Sequence, residues 1–254
     1  MCQGEKGELL RRGRLWKFID GMLDSKDRIN SKERYEFFKK ADVVAYSVHP
    51  SFKGKLRSFL FNLSYRFIRV LRRYEYVLNC KKGLLRDLEL LFLAPYYKHI
   101  MVKCGYHISP NVLGAGCGIH CLGPVIMNGG VSIGENTRIH IGVHLGTGAG
   151  YANAAPKVGR NCYLGPGAKL FGNITLSDCT VVGANAVVNK SCDKSNVLLV
   201  GVPAAVKKEG VNVFDFIIPC TLVAQLSREE QLLLYHKPSQ EVKKYLVEKG
   251  YLPE

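Results

Sequence analysis

The 254-residue chain has one Trp, no Cys-x-x-Cys pair and no group of His at metal-ligand spacing. Zinc ribbons, zinc fingers and thioredoxin-like redox centres are excluded, because each needs closely spaced thiols or imidazoles. The nine Cys stand singly. They are expected to be reduced, mostly buried side chains of a cytoplasmic protein. No uncharged apolar run reaches the roughly 18 residues that a membrane span requires. The opening MCQGEKGELLRRGR lacks the apolar core of a secretory leader. Acidic residues are few: 21 Asp and Glu face 36 Lys and Arg, a formal net charge of +15.

That excess is uneven. Residues 1–106 hold 23 Lys/Arg and 11 Asp/Glu, residues 107–210 hold 8 and 4, and residues 211–254 hold 5 and 6. A basic N-terminal region suits nucleic acid, anionic lipid or a phosphorylated ligand, but a solvated helix surface accounts for it more simply. The basic residues are interleaved with Leu and Phe and form no nucleic-acid module, so no nucleic-acid partner is expected.

What the chain does contain is a period of six. Ile133, Ile139 and Leu145 are six apart, as are Val158, Leu164, Leu170, Leu176, Val182 and Val188. The gap from Leu145 to Val158 is one hexad plus seven inserted residues. Four positions after these aliphatics stand Thr137, Val143, Cys162, Ala168, Ile174, Thr180, Ala186 and Cys192, small or branched and never charged. Helices repeat at three and four and plain strands at two. A strict six fits a parallel β-helix in which each hexad is a short strand and a corner, with the aliphatic inward. Gly134, Gly146, Gly159, Gly165 and Gly183 directly follow an aliphatic and are expected to supply the backbone angles of the turns.

Before the repeat, helices are expected. Leu15, Phe18, Ile19, Met22 and Leu23 fall at helical spacing, then Tyr35, Phe37 and Phe38. Residues 55–78 read as one basic amphipathic helix, with Leu56, Leu60, Leu63, Phe67, Val70 and Leu71 on one face and Arg66, Arg69, Arg72 and Arg73 on the other. Such a helix packs on its neighbours or rests weakly on an acidic membrane surface. A further helix covers about 84–103, interrupted near Pro95. After the repeat, Pro203 stops the pattern. A capping box of Ser227 and Glu230 opens a helix, which Pro238 divides from a last one near 239–249. The chain thus divides into a helical region 1–104, a β-helix domain 105–208 and a helical extension 209–254.

The hexads, the insertion after GVHLGTG, the phrases KVGRNCYLGPGAKLFGNITL and VVGANAVVNKS and the closing GVPAAV resemble the serine acetyltransferase-like branch of the hexapeptide acyltransferases. The resemblance covers about 105–208. Residues 55–104 also resemble the N-terminal part of relatives found in capsule and exopolysaccharide clusters. The resemblance implies a mainly β fold, a left-handed parallel β-helix, usually a homotrimer. It implies acetyl-CoA in the groove between prisms and direct transfer of the acetyl group to a sugar or serine-like hydroxyl, with a His as base and no metal. Alternatives are an N-acetyltransferase of an amino sugar or antibiotic, and a binding or scaffold protein on the same prism. The metal-dependent gamma carbonic anhydrases share that prism but need three converging His, and His140 and His144 lack a third.

Direct transfer needs a base within hydrogen-bond reach of the acceptor oxygen, and His fits that task. The family places its His two residues before a Gly; here Cys121 fills that slot in Ile119-His120-Cys121-Leu122-Gly123. His120 stands one place early, and a one-residue shift on a strand turns a side chain to the other face. Three outcomes stay open. A local irregularity delivers His120, or His140 or His144 supplies the base, or the chain is inactive. Cys121 is either an acyl-carrying thiol or, more simply, a buried structural Cys. The family's acid partner is replaced by His107, and its His before the loop-ending Pro is replaced by Ala155, which points away from free serine as acceptor. On the cofactor side the resemblance implies Gly146, Thr147 and Gly148 in the loop over acetyl-CoA, Ala168, Gly183 and Ala184 along the pantetheine, and Lys207 and Lys208 at the phosphates.

Overall fold

A computed structural model describes residues 28–150 and 154–252. The expected helix around Leu15–Leu23 lies outside the described residues. Among the described residues, four helices precede the repeat: α1 (Lys32–Ala45), α2 (Phe52–Phe61), α3 (Leu63–Cys80) and α4 (Leu84–Cys104). Ser31 caps α1 by accepting a hydrogen bond from the Arg34 N–H at 3.2 Å.

The single helix expected over 55–78 is two helices. Asn62 is extended, and its side chain accepts from the Tyr65 N–H at 3.0 Å, so it starts a new helix. The apolar face divides with it. Phe67, Val70 and Leu71 are buried in the protein, whereas Leu56, Leu60 and Phe61 face outward. Of the apolar face expected over 55–78, the part on α2 is the part left exposed. Arg72, expected on the polar face, is fully buried and ion-paired to Asp42 and Glu75 at 3.0 Å each. The helix expected to break at Pro95 runs through it, because Pro95 is exposed and removes only its own N–H from the ladder.

The repeat forms a three-sided prism, a left-handed parallel β-helix. The first face carries β1 (Tyr106–His107), β3 (Val125–Met127), β6 (His144–Gly146), β9 (Lys169–Phe171) and β12 (Val187–Val188). The second carries β4 (Ser132–Ile133), β7 (Lys157–Val158) and β10 (Thr175–Leu176). The third carries β2 (Gly118–Ile119), β5 (Arg138–Ile139), β8 (Tyr163–Leu164), β11 (Val181–Val182), β13 (Val197–Gly201) and β14 (Ala204–Glu209). Every pair is parallel except β13 with β14. Leu164 lies in register with Val182, three hexads on, and Leu145 with Leu170, three hexads plus the seven-residue insertion.

All nine hexad aliphatics are buried, at 4 % exposure or less. The glycines that follow them do a different job from the one expected. Gly134, Gly159 and Gly165 have no positive φ. A Cβ at Gly134 would lie 2.7 Å from backbone atoms of Gly159 and Arg160 in the next coil, so the glycine is required by stacking distance. The left-handed corners fall instead on Asn111, Asn136, Asn161 and Cys179, and on Gly142 and Gly167. Asn tolerates that region better than most residues. Asn136 Nδ2 also donates to Asn161 Oδ1 at 2.9 Å, linking two stacked corners.

A β-helix ends in unpaired backbone groups. Here helix side chains take up the leading edge. Arg72 donates to the carbonyls of Leu113 and Gly114 at 2.7 Å each. Glu75 accepts from the Asn111 N–H, Asp42 from the Gly116 N–H, and the Tyr46 hydroxyl from the Ile119 N–H. The trailing edge closes with the β13–β14 hairpin across the cis Val202–Pro203 bond. The chain then returns along the third face through a 3-10 turn (Val213–Asp215), α5 (Cys220–Val223), α6 (Arg228–Leu233) and α7 (Ser239–Glu248). The expected Ser227–Glu230 capping box is formed. Cys220 packs in the core shared by the helices and the prism.

Candidate active site

His120 and His140 follow the inward Ile119 and Ile139 at the end of adjacent strands β2 and β5, one above the other on the third face. Arg138 stands two residues before His140 on the same outward side. His120 lines a cavity of about 230 Å³ between this face and the returning extension, bounded also by Arg138, Asn136, Ser47, Lys237 and Ser239. The His120 ring is exposed, stacks over Tyr46 at 6.2 Å between centroids, and folds back so that Nε2 lies over Gly118. A Cβ at Gly118 would sit 2.9 Å from that nitrogen, so Gly118 makes the room.

No other described residue hydrogen-bonds to the His120 ring. Partial burial, then the Arg138 guanidinium, then His140 lower its pKa, and surface exposure of the ring limits the shift. The ring is therefore neutral near pH 7 and holds a free acceptor nitrogen. His140 is half-buried, 5.0 Å from the Tyr163 ring, and its pKa is lowered by burial and Arg138. Its Nε2 is buried without a hydrogen-bond partner.

The other candidates are spread along the prism. His144 lies on the first face, opposite Ile126 and Lys169, with its ring 5.1 Å from Phe171; burial and Lys169 lower its pKa. Gly146, Thr147 and Gly148 leave that face into the inserted loop, where the Gly148 N–H donates to the Ala154 carbonyl at 3.1 Å. Gly183 and Ala184 lie at the corner between the third and first faces, the prism edge that His120 and His140 also border. Ala168 is fully buried with its side chain in the core, so it offers a ligand backbone only. Lys207 and Lys208 are exposed on β14, five strands from β2 and so roughly 24 Å away at the usual strand spacing. A ligand touching both ends must be long and extended.

Cys121 is exposed, which corrects the expectation of a buried structural thiol. Its carbonyl accepts from the Tyr106 hydroxyl at 3.0 Å. Cys117 and Cys162 do match the buried role, with burial pushing each thiol up to about 12. His107 is exposed on β1, on a different face from His120, and cannot orient it. Sequence reasoning passed over Arg138, Lys237, Ser239 and Tyr46. Arg138 carries a signal in the Arg-Ile-His spacing; the others reach the cavity only because distant segments fold against β2.

No protein-family model matches the chain. The serine acetyltransferase of Staphylococcus aureus (strain Mu50 / ATCC 700699) is 38 % identical over 91 residues, 35 % of this chain and 42 % of that protein. Over that stretch the chain is similar to serine acetyltransferases. The Staphylococcus epidermidis (strain ATCC 12228 / FDA PCI 1200) serine acetyltransferase is 35 % identical over 115 residues, 43 % of this chain and 54 % of that protein. The chain thus spans about half the length of these relatives. Among solved structures, serine acetyltransferase from Brucella abortus strain S19 aligns with a TM-score of 0.57 at 23 % identity, covering 72 % of each chain. The same enzyme in complex with coenzyme A aligns at 0.54 with 26 % identity, over 70 % of this chain and 69 % of that one. The fold is shared. Among the described residues no group of His, Cys, Asp or Glu is arranged to hold a metal ion, and no helix is long and apolar enough to cross a membrane.

Proposed function

We propose that the chain is an acetyl-CoA-dependent O-acetyltransferase with His120 as general base and a sugar-type hydroxyl as acceptor. The observation that carries this is the His120 cavity: a neutral imidazole with an unused ring nitrogen, facing a polar recess, on the edge that Gly183 and Ala184 also border. In the step we assign, the acceptor oxygen attacks the thioester carbonyl while His120 takes the hydroxyl proton. The C–S bond breaks, and His120 returns the proton to the departing CoA thiolate. Acetyl, proton and charge all balance, with no metal or redox partner.

Acetyl-CoA is the donor we assign. Gly146, Thr147 and Gly148 let a ligand approach the backbone closely where the inserted loop begins, and Lys207 and Lys208 offer point charges for phosphate at the far end. We further propose a cytoplasmic homotrimer. Leu122, Ile126 and Ile141 are large apolar side chains exposed on the prism beside the His120 hexad, and prism-to-prism contact would cover them. The loss of the His before Pro156 supports a saccharide over free serine. A second reading is kept by Cys121: with the family's His slot vacated, the chain would bind CoA without transferring acetyl.

The test is release of CoA thiol from acetyl-CoA with a panel of sugars, sugar acids, serine and aminoglycosides. Turnover with a sugar that is lost in His120→Ala supports the assignment. CoA binding without turnover on any acceptor supports the scaffold reading, and absence of CoA binding overturns both.

A further inference from the structure

We infer that the acceptor is an acidic saccharide, held through its carboxylate by Arg138 and Lys237 in the His120 cavity. The inference rests on the acetyltransferase proposal and narrows it. Among the described residues, the cavity lining contains two cations, Arg138 and Lys237, and no Asp or Glu. The guanidinium is poorly served by the protein. Arg138 Nε is buried with no hydrogen-bond partner, and the head makes one long contact, from NH1 to the Phe216 carbonyl at 3.5 Å. A buried N–H without an acceptor is costly, and a carboxylate is the group that a guanidinium fork satisfies best. Lys237 is tied to Glu241 at 3.0 Å, an exposed pair one helical turn apart. Such pairs contribute little and give way to a better partner.

The same lining argues against a free amino acid. Serine brings an ammonium as well as a carboxylate, and the two charged side chains that line the cavity are both cations, which the ammonium would face as like charges. A sugar acid brings hydroxyls and one negative charge. Ser47 borders the cavity with an exposed hydroxyl, and the Ser239 hydroxyl, which donates to the Asp215 carbonyl at 3.0 Å, keeps its lone pairs for a sugar hydroxyl. The volume, about 230 Å³, suits a single sugar ring. The arrangement places the acid group against β5 and the extension, while His120 on β2 meets a ring hydroxyl. The extension is what makes the site: Ile217, Ile218, Lys237 and Ser239 all come from it.

The experiment compares glucuronate, glucose and serine as acceptors with acetyl-CoA as donor, and measures glucuronate binding by calorimetry. The expected result is a kcat/KM for glucuronate at least tenfold above that for glucose, the scale of one charge-assisted hydrogen bond. Arg138→Gln collapses that ratio to near one and Lys237→Gln lowers it; Arg138→Lys restores part of it. Calorimetry separates this from a folding defect, since the Gln variants weaken glucuronate binding while acetyl-CoA titrates the same fraction of protein. Equal kcat/KM for glucuronate and glucose overturns the inference and leaves the acetyltransferase proposal standing, as does a preference that survives Arg138→Gln. Transfer to none of the three, together with no CoA binding, overturns the proposal beneath it.

Discussion

Arg72 is the residue whose removal should be felt most. Its guanidinium meets Asp42 and Glu75 and donates to two carbonyls at the leading edge of the prism, all of them buried. Burial alone would lower its pKa, but the two carboxylates more than offset this, and Arg72 stays charged. Burial raises the pKa of both carboxylates, and Arg72 opposes that rise. In Arg72→Met the hydrocarbon volume is roughly kept, but two buried acids lose their counter-charge. Breaking a buried pair from one side costs about 3–5 kcal/mol. Two carbonyls also lose their donors, at about 1–3 kcal/mol each where water cannot replace them. A loss of about 5 kcal/mol or more is a large share of the roughly 5–15 kcal/mol that a folded protein has. Urea unfolding followed by far-ultraviolet circular dichroism measures it as a fall in midpoint. The triple variant Arg72→Met, Asp42→Asn, Glu75→Gln should recover a substantial part, because no unpaired charge remains. An Arg72→Met midpoint equal to wild type, or a triple variant no better than the single one, would refute the argument.

Further outcomes follow from the same geometry. Gly134→Ala would place a methyl 2.7 Å from the backbone of the next coil, which cannot step aside; a loss of about 2–3 kcal/mol is expected from overpacking, read as a lower thermal midpoint. His120 has a folded-state pKa below its unfolded one, so the unfolded state binds the proton first. Its contribution is fully present above the ordinary His value and is lost as pH falls through the lowered one; kcat/KM should likewise hold at pH 6 and fall only in more acid solution. Arg138→Gln removes one cause of the depression and should move that acid limb upward. Lys207→Gln with Lys208→Gln should raise the KM for acetyl-CoA several-fold and flatten its salt dependence, while leaving the acceptor KM unchanged.

The prism was legible because one constraint recurs: each strand turns one aliphatic inward, so Ile133 through Val188 write the period openly. The break at Asn62 was legible in principle, since Asn is a favoured cap, but the long apolar face across it masked the signal. The glycine positions were visible and their cause was not. Gly134 and Gly159 answer to the distance between coils, which a one-dimensional pattern does not contain. Arg72 looked like its neighbours Arg69 and Arg73, because the partner that buries it, Asp42, lies 30 residues earlier. The site divided in the same way. His120 was found from its hexad, but Lys237 and Ser239 join it only after the chain has run the length of the prism and returned.

The most direct test of the account is acetyl transfer by wild type and His120→Ala at saturating acetyl-CoA, with CoA affinity measured on both. The account predicts transfer by wild type, a loss of about a hundredfold or more in the variant, as expected for a missing general base, and the same CoA affinity in each. Undiminished transfer by His120→Ala would contradict it.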